Sequence, residues 1–86
     1  MNFPVIVDVT LREGIADPEG ATIERALPAL GFTGVTKVRA GKSFRMLIEA
    51  GDERAALVKA TALAERLLSN PVIENAVARS ASDEAQ

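Results

Sequence analysis

Few residues in this 86-residue chain can do chemistry at neutral pH. There is no histidine and no cysteine. That removes the commonest general base, the thiol nucleophile, disulfides and thiolate metal sites. The remaining nucleophiles are Ser and Thr hydroxyls, none of which can be paired with a histidine base. Two groups of charged side chains stand out. The carboxylates Glu13, Asp17 and Glu19 cluster in Leu11–Gly20, and their plainest role is to cap a helix and interact with its dipole. The cations Lys37, Arg39, Lys42 and Arg45 form the second group. They are either a solvated basic patch or a surface for an acidic partner.

Phosphate chemistry finds no support. Gly14 and Gly20 flank a loop before a helix N-terminus, a place that can hold an anion. Neither GxGxxG nor GxxxxGK[ST] is present, and Asp17 and Glu19 would repel phosphate. The glycine-rich loop of acylphosphatases, with its phosphate-binding arginine, is also not recognisable. Phe3, Phe32 and Phe44 are the three aromatic residues, too few for a base-stacking sheet. The net charge of −2 argues against general nucleic-acid binding.

The elements that must carry these residues are legible from periodicity. Val5, Val7, Val9 and Leu11 alternate with Ile6, Asp8 and Thr10, the pattern of a half-buried strand. Asp17-Pro18 reads as a cap followed by the first helical position. The helix runs from Pro18 to about Leu30, with Ile23, Ala26, Leu27 and Leu30 as its apolar stripe. Pro28 lies on its solvent side, and Gly31 is suited to a left-handed end. Val35–Ala40 and Phe44–Ala50 read as two arms of a hairpin. A three-residue loop Gly41-Lys42-Ser43 pairs Ala40 with Phe44, Val38 with Met46 and Thr36 with Ile48 on one apolar face. It also sets Arg39 opposite Arg45, a repulsive pair that Asp8 on the neighbouring strand offsets in part. Asp52 caps a second helix from Glu53 to about Ser69, buried along Ala56, Leu57, Ala60, Leu63, Ala64, Leu67 and Leu68. Asn70-Pro71 stops it. The last strand falls within Glu74–Ser80, with Val77 as its core residue, and residues 81–86 read as a flexible tail.

The expected fold is therefore α+β, a ferredoxin-like β-α-β-β-α-β single domain over residues 1–80. It has a four-stranded antiparallel sheet in the order fourth, first, third, second, with two helices on one face. The other face is expected to be open and to carry Ile6, Asp8, Thr10, Lys37, Arg39, Arg45, Leu47 and Glu49. A chain of this length has a marginal core, which oligomerisation commonly remedies. No apolar run is long enough to cross a membrane and no signal-peptide pattern opens the chain, so a cytoplasmic protein is expected.

Several stretches, in order, resemble the PurS family of phosphoribosylformylglycinamidine synthase subunits. They are Leu11-Arg12-Glu13-Gly14-Ile15, Asp17-Pro18-Glu19-Gly20, Ala29-Leu30-Gly31-Phe32-Thr33-Gly34-Val35, Val38-Arg39-Ala40-Gly41-Lys42 and Leu67-Leu68-Ser69-Asn70-Pro71-Val72-Ile73-Glu74. The resemblance runs from about Val5 to Ala78. It implies a non-catalytic subunit of a purine-biosynthetic ligase complex that converts formylglycinamide ribonucleotide to the formylglycinamidine. It also implies bridging of a glutaminase subunit and a large synthetase subunit, and assistance to ammonia transfer between them. ATP and magnesium belong on the synthetase, with no cofactor in this chain, and a homodimer or higher oligomer is implied. The residues that match the family's motifs are Arg12, Gly14, Asp17, Pro18, Gly20, Arg39, Gly41, Lys42, Asn70 and Pro71. They form the candidate partner interface. Two other classes share the fold: a small-molecule regulatory domain of ACT type, and a free-standing enzyme of acylphosphatase type.

Overall fold

The computed structural model describes residues 1–81. Among them, strands β1 (Asn2–Leu11), β2 (Gly41–Glu49) and β3 (Glu74–Ser80) form one antiparallel sheet in the order β2-β1-β3. Helix α1 (Pro18–Ala26) follows β1 and runs on into a 3-10 turn, Pro28–Leu30. Helix α2 (Glu53–Leu63) precedes β3 and ends in a π-helical turn, Ala64–Leu68. The fold is thus α+β with a three-stranded sheet.

The alternation of β1 sets the core. Val5, Val7 and Val9 are buried on the sheet face that α2 covers, together with Ile48. Register places Met46 beside Val5, Phe44 beside Val7 and Lys42 beside Val9 on one side of β1. On the other side Ala78 stands beside Val7 and Ala76 beside Val9. α2 meets this face with Ala56, Ala60 and Ala64, all fully buried. Spaced four apart, they form one column of small residues that lets the helix axis approach the sheet closely.

Several expectations need correction. Val35–Ala40 is not a strand in this chain, so the sheet has three strands and the hairpin register is not formed. Two backbone donors of the segment are taken by carboxylates instead: Val38 N donates to Glu24 Oε1 at 3.0 Å and Ala40 N to Asp17 Oδ2 at 2.8 Å. Lys37 adopts a left-handed conformation with φ 59°, which breaks an extended run. Arg39 therefore does not face Arg45. Lys42 sits in the first turn of β2's ladder and not at a hairpin tip. Pro28 divides the first helix: the α-helical part ends at Ala26, and Pro28 opens the 3-10 turn, where it sacrifices no hydrogen bond. Gly31 closes that turn in the left-handed conformation, φ 90°.

Val77 is not a core residue; it is 60% exposed on the face away from α2. The core side of β3 is taken by Ala76 and Ala78 because the close approach of α2 leaves room only for small side chains. The far face is also not open throughout. Ile6 is fully buried there, flanked in register by Arg45 and Arg79. Asp8 on the same face accepts a hydrogen bond from Arg79 Nε at 2.9 Å. Ala81 is buried, and its N–H donates to Pro4 O at 2.9 Å, which pins β3 one residue past its end. Residues 82–86 of the expected tail lie outside the described residues.

The first helix does not pack on the sheet. Most of its expected stripe is exposed, with Ile23 at 44% and Leu30 at 69%, and only Leu27 is half-buried. Residues 12–40 form an arm extending from the sheet, and the chain measures 50 × 32 × 14 Å along its principal axes.

Candidate functional site

The residues singled out in the sequence come together at one end of the sheet, where β1 ends and β2 and β3 begin. Asp17 is the pivot. Its Oδ1 accepts the Gly20 N–H at 2.9 Å, the helix cap expected from Asp-Pro. Its Oδ2 accepts the Ala40 N–H at 2.8 Å, and the Arg39 guanidinium stands 3.9 Å away. The Gly20 and Ala40 hydrogen bonds, with the Arg39 charge, hold the Asp17 carboxyl below its ordinary value despite some loss of solvent. One side chain thus ties the start of α1 to the end of the arm. Gly20 makes this possible by having no side chain. A Cβ there would stand 2.5 Å from Val38 O and 2.6 Å from Asp17 Oδ2.

Arg12 and Arg39 fasten the arm to the sheet. Arg12 N–H donates to Ile73 O at 2.8 Å, and its guanidinium Nε to Pro71 O at 2.9 Å. Arg39 Nη2 reaches Leu11 O and Arg12 O, both at 3.4 Å. Gly14, at φ 87°, shapes the turn in which Ile15 N–H donates to Arg12 O at 3.1 Å. Asn70 organises the entry to β3: its side-chain oxygen accepts from Val72 N at 3.1 Å and its carbonyl from Ile73 and Glu74. Gly41 lies against β1, where a Cβ would stand 2.7 Å from Val9 O. Lys42, with its side chain 58% exposed, points its amine toward Glu74 at 3.9 Å.

Two residues of this end were missed. Glu24 holds Val38 N, and Glu74 clamps Asn70 N at 2.7 Å while facing Lys42. The Asn70-to-Glu74 spacing was visible in the sequence and fits a local carboxylate-to-backbone clamp. Nothing local marks Glu24, whose partner is 14 residues away.

The arrangement leaves two open clefts that share Leu11 and Asp17. One, about 630 Å³, lies between α1 and the Lys37–Arg39 segment. The other, about 260 Å³, lies between the Asp17–Glu19 loop, Lys42 and Glu74. Among the described residues no group of three or more His, Cys, Asp or Glu side chains could hold a metal ion. The chemistry on offer is recognition: exposed arginine and lysine heads, carboxylates and loop backbone around a rigid frame. No helix among the described residues is long and apolar enough to cross a membrane.

Comparisons with known proteins match nearly the whole of the described chain. Residues 4–81 match the family model PurS, phosphoribosylformylglycinamidine (FGAM) synthase. The PurS subunit of Archaeoglobus fulgidus is 46% identical over 79% of this chain and 85% of its own. The crystal structure of the PurS subunit of Thermotoga maritima superposes with a TM-score of 0.85 at 36% identity, covering 93% of this chain and 92% of that one. The chain matched in the structure of PurLQS from the same organism gives 0.84 at 36% identity, covering 93% and 98%. The ACT reading is not favoured beside these likenesses. Matched by the family model over residues 4–81 and 46% identical to a curated member, the chain belongs to the PurS family, subunits of the FGAM synthase ligase complex of purine biosynthesis.

Proposed function

We infer that this chain is the bridging subunit of its FGAM synthase, working in the cytoplasm. It holds a glutaminase subunit against a large synthetase subunit and assists the passage of ammonia from one to the other. ATP and magnesium act on the synthetase. The observation that carries this reading is the convergence of Arg12, Gly14, Asp17, Pro18, Gly20, Arg39, Gly41, Lys42, Asn70 and Pro71 on one end of the sheet. That end serves as the partner interface. The PurLQS neighbour, a complex containing a PurS chain, supports assembly with other subunits.

Self-association belongs to the same reading. The radius of gyration is 16.0 Å, against about 12 Å for a compact chain of this length. The arm leaves Ile23, Leu30, Phe32 and Val35 exposed while β2 keeps an open outer edge. A second copy satisfies both. Its Val35–Ala40 segment pairs beside β2 and its α1 stripe lies on the sheet next to α2. The four-stranded ferredoxin-like order then forms from two chains, and the exchanged arms make a homodimer.

Reconstitution tests the function. Glutamine-dependent amidination with ATP is measured with the three subunits together. Activity is expected to require all three, and Lys42→Glu is expected to lower it at limiting subunit concentration, with recovery at higher concentration. Full glutamine-dependent activity without this chain overturns the bridging reading. Wild-type coupling by Lys42→Glu removes Lys42 from the interface.

A further inference from the structure

Helix α1 does not lie on the sheet, and what it grips instead is backbone. Asp17, Gly20 and Glu24 follow one another at three and seven residues, so they share one side of the helix over two turns. That side faces residues 38–40. Glu24 Oε1 accepts the Val38 N–H at 3.0 Å, and Asp17 Oδ2 accepts the Ala40 N–H at 2.8 Å. Between them Gly20 lies against the Val38 carbonyl, so close that a Cβ would stand 2.5 Å from its oxygen. Carboxylate, glycine and carboxylate on the helix thus meet donor, carbonyl and donor on the segment, in matching order.

Two N–H groups two residues apart that turn to the same side mark extended backbone. In a sheet a neighbouring strand would take them. Here two side chains of a helix do so. The two acceptors differ in duty. Asp17 also caps α1 through the Gly20 N–H at 2.9 Å. Glu24 lies two turns from the helix start, where no cap is needed, and its bond serves the arm. Without it the half-buried Val38 N–H loses a charged acceptor.

This clasp decides what the arm presents. Val38 and Ala40 are half-buried, while Lys37 and Arg39 are exposed. Lys37 is held at φ 59°, a left-handed conformation that a lysine keeps only where its surroundings fix it. The Glu24 bond to the very next N–H is the contact that fixes it. Arg39 lies between the two clasped residues. Its Nη2 reaches the carbonyls of Leu11 and Arg12 at 3.4 Å, and its Nε stands 3.9 Å from Asp17 Oδ2. The backbone on both sides of the Arg39 side chain is therefore pinned to α1.

We propose that Glu24 is a positioning residue of the bridging function: with Asp17 and Gly20 it clasps the Val38–Ala40 backbone, so that the Lys37 and Arg39 cations stand in place before a partner subunit arrives. The proposal rests on the bridging reading given above. Glu24 touches no reacting group and acts only through the segment it holds. Preorganisation of this kind lowers the cost of assembly and leaves the chemical step alone. It therefore governs how much of the chain half-saturates the complex, and not the rate once the complex is saturated.

Two substitutions test it on the full chain. Glu24→Ala removes the acceptor, whereas Glu24→Gln keeps a side-chain oxygen of the same reach and removes the charge. Amide hydrogen exchange, at fixed protein concentration, follows the clasp. The Val38 N–H is expected to exchange at least about tenfold faster in Glu24→Ala, and within about threefold of wild type in Glu24→Gln. The Val5 and Val7 amides of β1 are expected to keep their rates in both variants, which shows that the sheet is intact. The reconstituted three-subunit reaction follows the function. The concentration of this chain at half-maximal glutamine-dependent activity is expected to rise about tenfold for Glu24→Ala, with the saturated rate unchanged, and to return near the wild-type value for Glu24→Gln. Unchanged Val38 exchange in Glu24→Ala shows that there is no clasp and overturns the proposal. Faster exchange with an unchanged half-saturating concentration overturns the positioning role. A lower saturated rate, or no rescue by Glu24→Gln, gives the carboxylate a direct part in the complex and overturns it too. A wild-type chain that proves unnecessary for glutamine-dependent activity refutes the bridging reading, a result seen without any substitution and so distinct from failure of the clasp.

Discussion

Asp17 does two jobs with one carboxylate, and only the first could be read from its neighbours. The Asp-Pro pair announces a helix cap, which the Gly20 N–H completes. The bond to Ala40, 23 residues on, depends on how the arm folds back, and no local pattern encodes it. Asp17→Ala removes both bonds and is expected to lower the melting temperature by about 5 °C at fixed protein concentration. The pH dependence follows from the same contacts. Because folding depresses the Asp17 carboxyl from its ordinary 3.8, the stability it adds is present above that pH. It is lost as pH falls through the folded value. Asp8, lowered chiefly by the Arg79 hydrogen bond, acts in the same direction. Stability measured by urea unfolding from pH 5 downward is expected to fall, and to fall less steeply in the Asp17→Ala chain. Gly20 is the complementary case. Gly20→Ala drives a methyl into the Val38 carbonyl, backbone that cannot swing aside, and is expected to cost about 2 kcal/mol in urea unfolding with an unchanged m-value.

Elements were legible where their partners lie within the same chain. The alternation of β1, the Asp52 cap that accepts the Ala55 N–H at 2.8 Å, and the glycine end of the first helical segment all follow from sequence. The Val35–Ala40 segment has a strand's composition but no place in this chain's sheet, because its side of the sheet lies beyond the arm. Its pattern fits the arm exchange proposed above, in which its neighbour is a second copy. Val77 misled for a different reason. In a strand of small residues the bulkiest looks like core, but an alanine-faced helix selects the smallest. Of the candidate site, the loop glycines and charges were legible as a group, whereas the hydrogen bonds that converge on Asp17 were not. The arm makes a direct prediction. Ile23→Asp and Leu30→Asp change residues already exposed within the chain, so they add no buried charge to a single copy. They are expected to abolish arm-mediated dimerisation, seen as loss of the dimer by sedimentation velocity. Dimers that persist at wild-type strength in both variants exclude the stripe as the contact.

At the scale of the whole molecule, the sheet with one helical layer is a small core. Among the described residues, the fully buried large side chains are four aliphatic residues of β1: Val5, Ile6, Val7 and Val9. Burial of this size leaves little margin over conformational entropy, so folding is expected to be coupled to association. The urea midpoint is therefore expected to rise with protein concentration, each tenfold increase adding about 1.4 kcal/mol per dimer. A midpoint that does not move over a hundredfold range shows a chain stable by itself.

The central position of β1 has a consequence for how the protein is made. This strand is synthesised before both of its neighbours, which begin at Gly41 and Glu74. No hydrogen bond of the sheet can form until Gly41–Glu49 emerges, and the β1–β3 ladder must wait for Glu74–Ser80. The most apolar strand of the molecule is therefore the one that spends longest without a partner. Nascent chains need shielding during that interval, and refolding is governed by the search for distant partners, on the slow side for a chain of this size.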